Sequence, residues 1–161
     1  MLMTSAMQPA ADTPRAGGDD VHAAVGPRRA HGLRRARILA VDDVREIHIL
    51  LRGVLETAGH KVFSALDTLQ ATKMARELLP DLVILDIAMP GGGGYVAFER
   101  LRTLQGTARI PVLIYSAKPR EEVTQKIPEA SDVRFLSKPC GPQELTDAVE
   151  RLLAPADAGR P

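Results

Sequence analysis

The segment Leu82-Val83-Ile84-Leu85-Asp86-Ile87-Ala88-Met89-Pro90 decides the fold, because an almost wholly apolar run ends in a single carboxylate. Four consecutive aliphatic residues without polar alternation are typical of a strand that is covered on both faces, as in the centre of a parallel sheet. Ligands bind at the carboxyl ends of such strands, which makes Asp86 a candidate functional residue. Taken alone, Asp86 is more simply interpreted as a cap of the loop that follows.

Four further apolar runs flank this segment and alternate with stretches of helical spacing. Strands are predicted at 38–41, 61–65, 82–86, 111–115 and 133–136, and helices at about 44–58, 67–80, 95–104, 120–127 and 142–153. This alternation predicts right-handed βαβ units, and therefore an α/β fold with a doubly wound, five-stranded parallel sheet and helices on both faces. The glycine run 91–94 lacks the Lys-Ser/Thr pair of a P-loop, so we interpret it as a mobile connection.

Length and composition favour one domain with tails. Residues 1–36 are predicted to be a disordered N-terminal tail, 37–153 the domain, and 154–161 a short C-terminal tail. The 21 Lys+Arg residues nearly balance the 20 Asp+Glu residues, which argues against nucleic acid or a membrane surface as a partner. No apolar run approaches the roughly 18 residues that a membrane span needs. With no signal peptide and a single cysteine, we expect a cytoplasmic protein.

Polar side chains follow four of the predicted strands directly, where each apolar run ends. They are Asp42 and Asp43 after the first strand, Asp86 after the third, Ser116 after the fourth and Lys138 after the fifth. In a doubly wound sheet these ends converge on one edge. Three carboxylates in one pocket repel one another by a few kcal/mol per pair at an effective dielectric near 20, so they need a cation. The hard, oxygen-rich ligand set favours Mg²⁺.

With Mg²⁺ in place, each of these residues acquires a predicted role in phosphoryl transfer. Asp86 is the candidate nucleophile toward phosphorus, because carboxylates form aspartyl phosphates. Asp43 holds the metal, helped by Asp42 directly or through water. Lys138 pairs with the remaining phosphoryl charge, and the Ser116 hydroxyl donates to a phosphoryl oxygen. Such a transfer depends mostly on positioning and charge neutralisation.

These residues resemble the motifs of a response-regulator receiver domain, over about residues 37–153. The matching positions are Asp42-Asp43, Asp86 with Met89-Pro90 and Gly94 behind it, Ser116-Ala117, and Phe135 three places before Lys138-Pro139. The resemblance implies the flavodoxin-like strand order 2-1-3-4-5. It implies that Asp86 accepts a phosphoryl group from a phosphohistidine on a histidine kinase or phosphotransfer protein of a two-component system. It also implies that the backbone carbonyl of Ala88 completes the metal shell.

The resemblance further implies a switch made of Ser116 and Phe135. In this family the hydroxyl turns toward the phosphoryl group while the aromatic ring turns inward. Phe135 has no hydroxyl to hydrogen-bond when it lies outside, and an outward ring exposes more apolar area. We therefore predict an inward-biased Phe135 ring, which a comparison of its rotamers in the unphosphorylated and phosphoryl-mimicking forms would test.

Several positions depart from the family's usual pattern and leave alternatives open. Gly93 stands where a capping residue often begins the third helix, and Lys118 could guide or block the water that removes the phosphoryl group. A degenerate receiver that acts only as a binding module is one alternative. A small Mg²⁺-dependent phosphatase with an aspartyl nucleophile is another, although such hydrolases usually carry a second acid at the position of Ala88.

Two last expectations concern the residues after Leu153 and the role of Cys140. Only eight residues follow Leu153, so we expect no separate output enzyme or DNA-binding domain. The protein would then be a monomer or a phosphorylation-dependent dimer that signals to an unknown downstream protein, as a chemotaxis-type regulator or a phosphorelay intermediate. Cys140 lies near Lys138, a setting that can lower a thiol pKa, but a packing role is favoured.

Overall fold

The structure, a computed structural model, describes residues 35–154. Most of the predicted N-terminal tail (1–36) and C-terminal tail (154–161) therefore lies outside the described residues. Within the described part of these tails, Ala36 is 2% exposed and its carbonyl oxygen accepts a hydrogen bond of 2.8 Å from the Lys61 amide. Ala36 thus packs with the folded part of the chain, and the domain bounds 37–153 stay a prediction.

Five parallel strands and five α-helices alternate along the described chain. The strands are β1 (Arg37–Val41), β2 (Lys61–Ala65), β3 (Leu82–Leu85), β4 (Val112–Ser116) and β5 (Val133–Ser137). The helices are α1 (Arg45–Thr57), α2 (Thr68–Leu78), α3 (Gly93–Thr103), α4 (Arg120–Lys126) and α5 (Pro142–Leu153). The sheet order is β2-β1-β3-β4-β5, which confirms the order that the family resemblance implies. Among residues 35–154, no helix combines the length and apolarity that crossing a membrane requires.

Helices cover both faces of the sheet, and each face has its own apolar core. Side chains of a strand point alternately to the two faces. Leu39 and Val41 of β1 accordingly join the core that α2, α3 and α4 complete. Ile38 and Ala40 join the core that α1 and α5 complete. All four residues of β3 are buried, which confirms that the deciding segment is a central strand.

The glycine run 91–94 after β3 was predicted to be a mobile connection, but the structure places it in a turn and in the start of α3. Helix α3 begins at Gly93, two residues before its predicted start, and Pro90–Gly92 forms a 3₁₀ turn. Gly91 and Gly92 have φ values of 67° and 73°, in the left-handed region that favours glycine. A Cβ on Gly94 would clash with the carbonyl oxygen of Asp86 and lie 2.5 Å from the Ile87 Cα. The run therefore brings α3 directly against the end of β3.

Helix α2 begins close to its predicted start at residue 67 but ends before its predicted end at residue 80. Asp67 caps its start, since its carboxylate accepts a hydrogen bond of 2.7 Å from the Gln70 amide. The helix ends at Leu78, however, and Leu79 has a left-handed φ of 44°. Leu79 is 54% exposed instead of packing inward, because the residue before Pro80 is disfavoured in the helical conformation.

Candidate functional site

Three carboxylates come together at the carboxyl edge of the sheet. Strands β1 and β3 are neighbours in register, with Val41 paired to Leu85, so the residues that follow them lie side by side. Ligand oxygens of Asp42, Asp43 and Asp86 all lie within 4.8 Å of one another. The convergence predicted from the strand ends is present in the structure.

The Asp86 carboxylate is buried and is held by neighbouring donors. Asp86 is 5% exposed. Its Oδ1 accepts hydrogen bonds from the Ser116 hydroxyl at 2.8 Å and from the Ala88 amide at 2.9 Å. Its Oδ2 lies 3.4 Å from the Lys138 Nζ. Asp86 is therefore fixed in orientation, with Oδ1 occupied by two donors and Oδ2 facing the ammonium.

Lys138 joins two of the three acids. Its ammonium pairs with the Oδ2 of Asp42 as well as with Asp86, and its side chain is 14% exposed. The end of β4 positions it, because the Lys138 amide donates a hydrogen bond of 2.9 Å to the carbonyl of Ser116. The Lys138 Nζ also lies 5.3 Å from the centre of the Tyr115 ring, within the range of a cation–π contact. Sequence reasoning placed Lys138 here but missed Tyr115.

Asp42 and Asp43 differ in how free their carboxylates are. Asp42 is 2% exposed, its Oδ1 accepts a hydrogen bond of 2.9 Å from the Val44 amide, and its Oδ2 pairs with Lys138. Asp43 is exposed, and its carboxylate has no hydrogen bond or ion pair with the residues that the structure describes. Asp43 is thus the acid most available as a direct ligand, while Asp42 is already engaged.

The donor set fits the predicted Mg²⁺. The cluster holds three carboxylates against the single ammonium of Lys138, which leaves two negative charges uncompensated among these four side chains. Mg²⁺ prefers oxygen ligands and is usually bound by one or two carboxylates while it keeps several waters. One free carboxylate at Asp43, beside the buried Asp86, matches that requirement. Ala88 is exposed, and its amide donates to the Asp86 carboxylate at the edge of this pocket.

The buried Tyr115 and the half-buried Cys140, both near the site, have raised pKa values. Burial, with a hydrogen bond to Cys140 as a smaller cause, raises the pKa of Tyr115 to about 12. Burial also raises the pKa of the Cys140 thiol, and the charge of Glu144 acts in the same direction. The raised pKa argues against a reactive thiolate at Cys140, and its half-buried position agrees with the packing role that the sequence favours.

Phe135, the second predicted switch residue, lies apart from the acids. Its ring is partly buried and packs against the core on the α2–α4 face of the sheet. Its amide donates a hydrogen bond of 2.9 Å to Glu129, whose carboxylate also pairs with Arg120 at the start of α4. The structure records one position of this ring, so the inward bias of Phe135 stays a prediction.

A buried histidine beside the acids was not predicted to matter. His48 of α1 is 7% exposed, and its Nε2 lies 2.7 Å from the backbone carbonyl oxygen of Asp42. The spacing of His48 from Leu51 and Leu55, which are both buried on α1, is the sequence signal that could have revealed its position.

Comparison with known proteins defines the class to which this fold and site belong. The response regulator receiver domain family matches residues 38–150, and the chain belongs to this family. These domains are part of two-component signal transduction.

Among curated relatives, protein PilH of Pseudomonas aeruginosa is 36% identical over 121 residues, which cover 74% of this chain and 98% of PilH. The transcriptional regulator RpaA of a Synechocystis strain is 35% identical over 122 residues; the match covers 75% of this chain but only 50% of RpaA. Among solved structures, the chemotaxis protein CheY4 of Vibrio cholerae aligns with a TM-score of 0.68 and 27% identity. That alignment covers 74% of this chain and 99% of CheY4.

Proposed function

We propose that this receiver domain accepts a phosphoryl group on Asp86, with Mg²⁺ held by Asp43 and Asp86, by Asp42 directly or through water, and by the Ala88 carbonyl. The donor is a phosphohistidine on a histidine kinase or phosphotransfer protein. One observation carries the proposal: a buried carboxylate at the end of β3 lies between a hydroxyl, an ammonium and two further acids. Each of these groups has a task in phosphoryl transfer.

The attacking atom is the Oδ2 of Asp86, because Oδ1 already accepts two hydrogen bonds. A bond forms between Oδ2 and phosphorus while the P–N bond of the phosphohistidine breaks, and the electron pair stays on the imidazole nitrogen. Held by the acids, Mg²⁺ would supply positive charge that offsets the charge of the carboxylates and of the phosphoryl group. Lys138, which faces Oδ2, pairs with the phosphoryl charge that arrives there.

Ser116 connects this chemistry to the rest of the domain. Its hydroxyl now donates to Asp86 and is fully buried, so it can turn toward a phosphoryl oxygen only by leaving its present partner. Phe135, on the neighbouring strand β5, is the second switch residue of the proposal. The signal would pass to a downstream protein by contact, from a monomer or a phosphorylation-dependent dimer, in the cytoplasm.

The two rival functions have less support from the site. A binding module without phosphorylation would not need two acids, a buried carboxylate and a bridging lysine in one cluster. An aspartyl-nucleophile phosphatase would need a proton donor two residues after Asp86, where Ala88 offers only its backbone. We therefore propose that the chain assists its own phosphorylation and dephosphorylation and has no separate hydrolytic activity.

The test is phosphorylation of the purified chain by a small acyl phosphate, followed by intact-protein mass spectrometry. We expect one phosphoryl group per chain in the presence of Mg²⁺, and none after EDTA treatment. Asp86→Asn should abolish the modification, whereas Asp147→Asn, which removes a carboxylate on α5, should leave it unchanged. Equal labelling of Asp86→Asn would refute the proposal, and sustained turnover of a phosphate ester would favour the phosphatase.

A further inference from the structure

The feature that the proposed function leaves unused is the side chain of His48. It is 93% buried in the first half of α1, although histidine is polar. Its Nδ1 is buried and has no hydrogen-bond partner among residues 35–154. Burying an unpartnered nitrogen costs free energy. Within the described part of the chain, the one polar contact of the ring that offsets this cost joins Nε2 to the Asp42 carbonyl oxygen.

The chemistry of that contact fixes its direction. A carbonyl oxygen can only accept, so the Nε2 of His48 carries the hydrogen and donates it to Asp42 over 2.7 Å. This carbonyl belongs to the peptide unit that links Asp42 to Asp43. Helix α1 has no side-chain cap at Val44, so His48 is the side chain of α1 that holds this turn.

The orientation of the Asp42–Asp43 peptide determines where the Asp43 carboxylate points. Asp42 is held by other contacts, since its amide donates to the Ala65 carbonyl at 3.1 Å and its carboxylate has two partners. Asp43 has no side-chain partner in the described part of the chain, so the direction of its carboxylate depends on its backbone. Whatever fixes the Asp42–Asp43 peptide also keeps the Asp43 carboxylate close to Asp86.

We propose that His48 is a positioning residue for the metal site: its Nε2–H holds the Asp42–Asp43 peptide so that Asp43 faces Asp86, which raises the affinity for a divalent cation. This inference rests on the proposed function, because it assumes that the acids bind Mg²⁺. Residues that orient the direct ligands of a metal ion do not touch the ion, yet removing them commonly lowers the affinity for the metal. A residue that only anchored α1 would change stability without changing cation affinity.

The experiment measures the Mg²⁺ affinity of the full chain by calorimetric titration with Mg²⁺ alone. His48→Leu removes the donor, and we expect it to weaken binding on the order of tenfold. His48→Gln keeps an N–H near the position of Nε2, so we expect its affinity to lie within about twofold of the unmodified chain. His60→Leu is the matched control. His60 is also a buried histidine with an unpartnered Nε2 among the described residues, but it contacts the Ala36 amide, away from the acids.

The outcomes separate this inference from the proposed function. If the unmodified chain does not bind Mg²⁺, the proposed function itself fails. If it binds Mg²⁺ and His48→Leu binds equally well, only the role of His48 is refuted. An equal loss in His60→Leu, or a loss in His48→Gln as large as that in His48→Leu, would also refute it.

A second measurement covers the case in which His48→Leu does not fold. Nitrogen-15 NMR of the imidazole in the unmodified chain should show the hydrogen on Nε2, and this resonance should shift together with the Asp43 amide when Mg²⁺ is added. A hydrogen on Nδ1 alone would overturn the inference, since Nε2 would then have nothing to donate. An Nε2 resonance that Mg²⁺ leaves unchanged would overturn it as well.

Discussion

Removing the ammonium of Lys138 should destabilise the domain strongly when no divalent cation is bound. The side chains of Lys138, Asp42 and Asp86 are only 14%, 3% and 6% exposed. At an effective dielectric of about 20, the attraction across the 3.4 Å to Asp86 is about 5 kcal/mol. Removing one partner of a buried ion pair typically costs about 3–5 kcal/mol. Because both acids keep backbone hydrogen bonds, we expect Lys138→Met to lower the free energy of unfolding by about 3 kcal/mol.

A double-mutant cycle followed by urea denaturation tests this reasoning. If Lys138 compensates the charge of Asp42, the double variant should lose less stability than the two single variants together. We expect its loss in the free energy of unfolding to be smaller than the sum of the two single losses by at least about 1 kcal/mol. Mg²⁺ should stabilise Lys138→Met more than the unmodified chain, because the cluster without the ammonium carries one more uncompensated charge.

The control for this cycle is Lys118→Met. Lys118 pairs with Glu122, but their side chains are 34% and 47% exposed, so we expect no measurable change in stability. Additive effects of Lys138→Met and Asp42→Asn would refute the argument. A loss in Lys138→Met no larger than that in Lys118→Met would refute it too.

Three further predictions, at Gly94, Gly53 and His60, are accessible to the same denaturation assay. Gly94→Ala should lower the free energy of unfolding by about 1–3 kcal/mol, because its Cβ would clash with the backbone at the end of β3. Gly53→Ala should raise the free energy of unfolding by about 0.5–1 kcal/mol, since a Cβ at this interior position of α1 meets no atom within 4 Å. A change of the same sign in Gly94→Ala and Gly53→Ala would contradict this reasoning. Burial lowers the pKa of His60 below its usual 6.5, opposed by the charge of Glu150. The unfolded chain therefore binds this proton more readily, so the His60 contribution to stability should be complete above about pH 6.5 and decline below it. The loss between about pH 7.5 and about pH 5.5 should be smaller in His60→Gln, and an equal loss would exclude His60 as its source.

The strands and the acid cluster were predictable because the information lies in short stretches of sequence. An uninterrupted aliphatic run such as 82–85 identifies a buried strand whatever surrounds it. Parallel strands have their carboxyl ends at one edge, so a polar residue after each run is placed near the others by the topology alone. Asp86, Ser116 and Lys138 were found in this way, and the structure brings them together.

What sequence reasoning missed depends on contacts between elements or on local backbone geometry. His48 was missed because its partner is a backbone carbonyl, which has no signature in the sequence. The start of α3 was placed too late because glycines normally argue against a helix, whereas here Gly94 is required by the close approach to β3. Leu79 fitted the apolar spacing of α2, but the following Pro80 ends the helix first.

The central claim is that one Mg²⁺-dependent phosphoacceptor, Asp86, lies where the strand ends meet. Borohydride reduction of the chain after reaction with an acyl phosphate, followed by peptide mass spectrometry, tests it most directly, because an aspartyl phosphate is reduced to homoserine. We predict homoserine at position 86 only, and only when Mg²⁺ was present during the reaction. Homoserine at a different aspartate, or at position 86 to the same extent without Mg²⁺, would contradict the account.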